Sequence, residues 1–438
     1  MSAVPAAGAD PGGSSSAADR LSGAGADPGG LSSAADRLVD AGVDPSGPAP
    51  DDGLHPDALR TVHPAYGSGS LADLLPSVSA VLGVPGAADV LGLGARLDGV
   101  DRIAVLLIDG LGAYQLPLAA PHAPVLADLA AGGRGHAATL TAGFPSTTPV
   151  SLVTLGAGVP PGAHGVLGFT VRRPDGRPLT HILWDDDPDP RRWQPVPTRM
   201  ELAAAAGVRV TVVSRPQFEG SGLSLAANRG GVYRGAADGA AVADGMLAAL
   251  READGPALVY GYHPDLDHFG HEDGVGSPSW RAAARGVDRL LDRVVHGLPP
   301  RSALLVVADH GQLNVPIEGR RDIAAIPELR DGVVGVAGES RVRYLHVADG
   351  ARDDVIASWR GVFGAEASVL TREEAIAGGW FGPVPAAHAG RIGDVVVICH
   401  GRAVAIASGW EPVKAGQLVA YHGSVTAAEM TVPLLIAR

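Results

Sequence analysis

The chain has one cysteine in 438 residues, so it can form no internal disulfide and offers no thiolate cluster for a metal or redox centre. Cys399 stands in the apolar stretch GDVVVICHG and reads as a small buried hydrophobe. Positive charge is also scarce. The chain carries 34 Lys and Arg against 47 Asp and Glu, a formal net charge of −13. A nucleic-acid polymer needs a basic binding face and is excluded as the main partner. A small phosphorylated substrate held through cations is not. No apolar run approaches the roughly 20 residues of a membrane helix. The N-terminus lacks the basic segment and apolar stretch of a secretory signal. These absences predict no membrane partner and a cytoplasmic location. Nothing in the chain predicts an oligomeric state.

What is present divides unevenly. Residues 1–55 are rich in Gly, Ser, Ala, Asp and Pro and hold a short duplication, GADPGGSSSAADRL (8–21) and GADPGGLSSAADRL (25–38). Such a segment buries too little apolar area to offset its ordering entropy, and two copies are too few for a solenoid. It is expected to be a flexible tail, with a short Ser-capped helix conceivable in each SSAADRL. From residue 69 to 438 the pattern is globular. RIAVLLID (102–109), VRVTVVS (208–214), PALVYGY (256–262) and SALLVVADHG (302–311) are continuous apolar runs, as in parallel strands buried on both faces. Between them, Trp280, Ala283, Ala284, Val287, Leu290, Leu291 and Val294 fall on one face of a helix. Alternating strands and helices imply an α/β fold. The later stretch, about 320–390, with RVRYLHV (341–347), GDVVVIC (393–399) and RAVAIAS (402–408) around it, is expected to form a smaller α+β insertion or an antiparallel edge.

Acidic residues follow three of these runs. Asp109 and Asp309 end two of them, and Asp267 lies just beyond the third. Open α/β sheets bind ligands outside the carboxyl ends of their strands. A single aspartate there is an ordinary turn residue. Three, with His271 and His310 nearby and His422 before the last apolar segment, form a mixed nitrogen and oxygen set. That set suits divalent ions, Zn²⁺ first, with Mn²⁺ or Mg²⁺ as alternatives. Six ligands serve two ions, the usual device for clamping a phosphoryl displacement. In TAGFPSTTPVSLVTLGAG (141–158), Ser146, Thr147 and Thr148 stand at the start of a helical stretch. On that stretch alone, helix capping explains them as well as nucleophilic chemistry does.

Six motifs in order resemble the alkaline phosphatase superfamily, and within it the type I phosphodiesterase/nucleotide pyrophosphatase branch. They are LLIDGLG (106–112), FPSTT with GAGVPPGAHGVLGF (144–169), LDHFGHEDG (266–274), ADHGQ (308–312), RIGDVVV (391–397), and YHGS with EMTVPLLIA (421–437). The resemblance spans about residues 100–438. It implies a three-layer sandwich, with a central, mostly parallel sheet and helices on both faces. It implies that Asp109, Asp309 and His310 hold one ion and Asp267, His271 and His422 the other. It makes Thr148 the nucleophile, with Thr147 as the alternative one residue away. The reaction implied is hydrolysis of a phosphodiester or pyrophosphate bond of a small substrate through a phosphothreonine. Members of this branch follow the nucleophile with Phe-Pro-Asn, the Asn donating to a phosphoryl oxygen. Here Pro149, Val150 and Ser151 follow, so Ser151 is the stand-in donor and the choice of substrate stays open. A phosphomonoesterase, a phosphonate or sulfate ester hydrolase, and an inactive binding protein on the same scaffold are the alternatives.

The remaining polar residues carry weaker expectations. His263 and Phe169 are candidate substrate contacts, and Tyr262, Trp184 and Phe218 candidate aromatic walls. Asp265 and His268 read as turn and border residues, His164 as structural, and WDDDPDPRR (184–192) as an exposed loop.

Overall fold

The computed structural model of the chain describes residues 52–438. The duplicated segments, and the expected tail as far as residue 51, lie outside the described residues. Residues 52–55 do not continue a tail. Asp52 is buried, and its carboxylate accepts two bonds from Arg402 (2.5 and 2.7 Å) and one from the Asn314 amide (3.0 Å). A buried carboxylate with that many donors fixes the backbone that carries it.

The four apolar runs form the strands Arg102–Ile108, Arg209–Ser214, Ala257–His263 and Ser302–Val307. They belong to a seven-stranded sheet in the order Gly135–Thr141, Thr431–Ala437, Ser302–Val307, Arg102–Ile108, Ala257–His263, Arg209–Ser214, Val232–Gly235. Pairing is parallel except at Thr431–Ala437, which runs antiparallel to both neighbours. The central strand Arg102–Ile108 buries every residue after its first, and Ser302–Val307 buries all six. Both faces of the sheet are therefore covered, which is why these strands show no polar alternation. The outer strands Gly135–Thr141 and Val232–Gly235 are exposed or half-buried along most of their length, and carry no such run. Helix Pro278–Gly297 buries the seven residues of the expected face and packs beside helix Gly239–Arg251. Ser277 caps it, accepting from the Trp280 amide at 3.2 Å.

A second sheet is antiparallel throughout, in the order Ala367–Thr371, Val395–Cys399, Val342–Val347, Val333–Glu339, Thr170–Arg172, Pro178–Thr180. It is wider than the stretch 320–390: a hairpin from residues 170–180 completes one edge, and Val395–Cys399 lies beyond it. RAVAIAS instead supplies Val404–Ile406, a short partner for Arg320–Asp322. On one side of the sheet, Leu345, Val369, Val395 and Val397 share a core with Trp359 and Phe363 of helix Arg352–Phe363. On the other, Val342, Tyr344, Val396 and Ile398 pack with Val150 and Val153 of helix Thr148–Ala157. The second sheet thus buttresses the helix that begins with the candidate nucleophile.

One buried ion pair ties this sheet to the segment carrying His422. Arg341 and Glu429 are fully buried, with Nε to Oε1 at 2.9 Å and Nη2 to Oε2 at 2.6 Å. Glu429 also accepts from the Ser424 amide (2.9 Å) and the Thr426 hydroxyl (2.5 Å). Removing one partner strands the other charge without solvent, at a typical cost of about 3–5 kcal/mol. We expect Glu429→Ala to lower the urea-unfolding free energy by roughly that amount, and Glu429→Leu combined with Arg341→Met to lose much less. Equal losses in the single and double variants would contradict this account.

Candidate active site

The chemistry gathers at the carboxyl ends of the parallel strands. Asp109 directly follows Arg102–Ile108, and its amide bonds the His263 carbonyl of the neighbouring strand (3.0 Å). Asp309 and His310 follow Ser302–Val307. Asp267 and His271 lie one turn apart on helix Asp265–Asp273, which begins just after Ala257–His263. His422 comes from the loop between Ala420–Tyr421 and helix Ala427–Met430. The loop after Asp109 and the helix bearing Asp267 are in contact. Gly110 has φ +73° there, and a Cβ on it would stand 2.9 Å from the Asp267 Cα.

All six expected ligands come together. Asp267, His271 and His422 each bring a ligand atom within 4.8 Å of the others, and so do Asp109, Asp267 and His310. Asp309 adjoins them, with Oδ2 at 3.3 Å from His310 Nε2. The imidazoles share one orientation. His271 Nδ1 lies 2.8 Å from the Ala420 carbonyl, His422 Nδ1 3.0 Å from the Ser146 carbonyl, and His310 Nδ1 3.2 Å from the Gly311 carbonyl. A carbonyl only accepts, so each Nδ1 carries a proton and each Nε2 faces the cluster. His271 and His422 bring their Nε2 atoms to 3.1 Å of each other, and the His310 and His422 rings stack at 3.5 Å.

The carboxylates are equally unusual. Asp109 Oδ1 and Asp309 Oδ2 are buried without a hydrogen-bond donor. Burial, and then the charges of Asp309 and Asp267, push the Asp109 carboxyl well above the usual carboxylate range. Burial raises the Asp309 carboxyl too, with the Asp267 charge adding to the shift and His310 opposing it. Burial, and then the charges of His310 and His271, hold His422 well below the usual imidazole range, so it stays neutral. Imidazole Nε2 atoms facing crowded, partnerless carboxylate oxygens are a donor set that divalent cations satisfy.

Thr148 is the first residue of helix Thr148–Ala157, and its Oγ1 lies 3.1 Å from His310 Nε2. Thr147, the alternative, is the fully buried N-cap residue and sits beside the half-buried Glu339, whose carboxyl desolvation pushes up to about 8. Ser146 bonds back to the Ser424 carbonyl (2.6 Å).

Several expected contacts fall elsewhere. Ser151 is fully buried and its hydroxyl has no partner, so it does not line an open cleft. His263 faces the opposite way: its Nε2 lies 3.5 Å from Asp265 Oδ2, in a groove of about 890 Å³ lined also by Asp238, Leu290 and Arg293. Trp184 is no wall but core, 2% exposed and packed edge-on against Trp193. Phe169 is half-buried, and its carbonyl accepts from the His181 amide at 2.9 Å. Phe218 and Tyr262 meet edge to face at 6.1 Å, and the Tyr262 hydroxyl donates to Asp109 Oδ2. Asp265 begins its helix and pairs with Arg215 at 2.8 Å, while His268 is largely exposed beside Glu272. His164 is buried against the Thr154 hydroxyl at 3.0 Å.

Sequence reasoning did not find Gln115, Gln312 and Glu339. Gln312 had one available signal, its place two residues after His310 in ADHGQ. Glu339 had none, because its strand reaches the site only through the second sheet.

A carboxyl whose folded pKa exceeds its unfolded value of about 3.9 takes up a proton on folding. Its contribution therefore turns unfavourable as pH rises from that value through the folded one. In chelator-treated protein we expect Asp109→Asn to raise the melting temperature at about pH 7, with the gain vanishing near about pH 4. Thermal melts across that range check it, and a lower melting temperature at neutral pH would contradict it.

Comparison with known proteins bears on the fold and the family. The sequence profile described as type I phosphodiesterase / nucleotide pyrophosphatase matches residues 103–425. A search of the curated protein sequences finds no match. Among solved structures, murine ectonucleotide pyrophosphatase/phosphodiesterase 5 is similar with a TM-score of 0.59 and 16% identity, covering 76% of this chain and 87% of that one. An inactive variant of that murine protein, solved with AMP, gives 0.58 and 16%, covering 77% and 88%. Phosphonoacetate hydrolase from Sinorhizobium meliloti 1021, solved with phosphonoformate, gives 0.57 and 20%, covering 77% and 90%. These likenesses establish an alkaline-phosphatase-like α/β fold. Among the described residues no helix is long and apolar enough to cross a membrane. The chain belongs to the type I phosphodiesterase/nucleotide pyrophosphatase family, whose members are hydrolases that use divalent metal ions.

Proposed function

We propose that the chain is a two-metal hydrolase cleaving a phosphodiester or pyrophosphate bond of a small substrate, with Thr148 as nucleophile. The observation that carries this reading is the convergence of three imidazole Nε2 atoms and three carboxylates beside the Thr148 hydroxyl. In it, Asp109, Asp309 and His310 hold one ion, and Asp267, His271 and His422 the other. Zn²⁺ suits the donors best, with Mn²⁺ or Mg²⁺ as alternatives. When bound, the ions supply the positive charge that makes a threonine hydroxyl acidic enough to react and that offsets charge on the phosphoryl oxygens.

The protein's own part is placement. Thr148 opens a ten-residue helix whose first N–H groups point towards any anion at its hydroxyl. Packing of Val150 and Val153 on the second sheet holds that helix still. Thr148 Oγ1 attacks phosphorus, the bond to the leaving oxygen breaks, and a phosphothreonine forms. Water then attacks phosphorus, restoring the hydroxyl and releasing the phosphoryl group. Two in-line displacements retain configuration at phosphorus. Ser151 is buried, so its hydroxyl does not take the part that the branch gives to an Asn.

The test is turnover of bis-p-nitrophenyl phosphate, p-nitrophenyl phosphate and phosphonoacetate by metal-loaded protein, wild type and Thr148→Ala. We expect the diester to be preferred. Thr148→Ala should lose several orders of magnitude in kcat while binding the same amount of metal. Preference for the monoester or the phosphonate would replace the substrate assignment. Full activity in Thr148→Ala would remove the phosphothreonine, and bound metal without turnover of any substrate would favour a binding protein.

A further inference from the structure

The two halves of the ligand cluster are joined by one side chain that is not itself a ligand. Gln312 follows His310 by two residues, so it rides on the loop that carries Asp309 and His310. Its side chain crosses to the other half. The Gln312 Nε2 donates to Asp267 Oδ1, and also to the Asp267 main-chain carbonyl at 3.0 Å. Asp267 Oδ2 is then the oxygen nearer His271 Nε2, at 3.4 Å, while Oδ1 lies 3.7 Å from His422 Nε2.

Gln312 is itself held. It is fully buried, and its main-chain carbonyl accepts from Gln115 Nε2, which comes from the loop after Asp109. The room for its amide is made by Gly270 on the Asp267 helix, where a Cβ would collide with Gln312 Oε1. Three ligand-bearing segments therefore meet on one glutamine. Its chemistry also fits. A neutral amide donates to a carboxylate without adding charge and without competing for a cation, which Lys or Glu at this position would do.

We infer that Gln312 is a positioning residue that sets the Asp267 carboxylate for the ion held with His271 and His422, and so couples that ion's site to the loop holding the other. The inference rests on the two-metal reading proposed above. Its expected consequence is selective. Loss of the amide frees Asp267 to rotate and weakens one ion by roughly 10–100-fold, the usual effect of removing a group that orients a metal ligand. The other ion keeps its affinity, because Asp109, Asp309 and His310 retain their own partners.

Calorimetric titration of chelator-treated protein with Zn²⁺ or Mn²⁺ reads this without any substrate. Wild type is compared with Gln312→Met, which keeps the volume and removes the donor, and with His271→Ala, which marks the binding phase belonging to the second ion. We expect two ions per wild-type chain. In Gln312→Met, the phase that His271→Ala abolishes should be weakened and the other unchanged. The metal-free melting temperature of Gln312→Met should stay near wild type, and excess metal should restore its kcat. If Gln312→Met does not fold, Gln312→Asn, one methylene short, is read by the same criteria. Two ions bound with wild-type affinity in the Gln312 variant, or equal weakening of both phases, overturns the inference and leaves the two-metal reading standing. Fewer than two ions on the wild-type chain overturns that reading instead.

Discussion

Three carboxylates and three imidazoles gathered in one place, all but Asp267 and His271 buried, form the constraint around which this protein is built. Left alone, such a cluster is unfavourable: burial and the charges of Asp309 and Asp267 oppose ionisation of Asp109, and the His271 and His422 Nε2 atoms crowd together at 3.1 Å. The fold tolerates it because the cluster sits where the ends of three parallel strands, one helix and one loop meet. Each imidazole is fixed from behind by a main-chain carbonyl. The same arrangement that is unfavourable by itself suits the cluster to cations.

The second sheet explains how the cluster keeps its shape. It touches the site at three levels. Its apolar face packs on helix Thr148–Ala157, Glu339 reaches the loop beside Thr147, and Arg341 anchors Glu429 and with it the segment of His422. A region that reads from the sequence as an appendage is thus part of the frame for both the candidate nucleophile and one candidate ligand. The hairpin at residues 170–180, far upstream, completes this sheet. That pairing is non-local, so no local pattern in either segment announces it.

What could be read in advance followed burial. The central strands were legible because a parallel sheet covered on both faces demands unbroken apolar runs, and Arg102–Ile108 and Ser302–Val307 have them. Helix Pro278–Gly297 was legible because one side of it faces water. The edge strands were not, since little of their surface is buried. Polar residues were legible only where motif order marked them. His263 and Tyr262 are neighbours in sequence, yet the strand's alternation sends them to opposite faces, one into a groove between helices and the other onto Asp109. Trp184 looked like a wall and is core, because an aromatic side chain in a loop gives no sign of which layer it enters.

The sequence by itself determined the chemical inventory: which acids and histidines follow which strands, the single thiol, and the order of motifs that identifies the family. It did so because strand runs and ligand types are local properties. Only the tertiary structure decided how the inventory is used. It put the Thr148 hydroxyl 3.1 Å from His310 and buried Thr147 beside Glu339. It took the Ser151 hydroxyl out of any open cleft, and it carried the Gln312 amide across to Asp267. Those outcomes depend on contacts between segments tens to hundreds of residues apart, where packing and the pairing of buried polar groups select one arrangement that no single stretch of chain encodes.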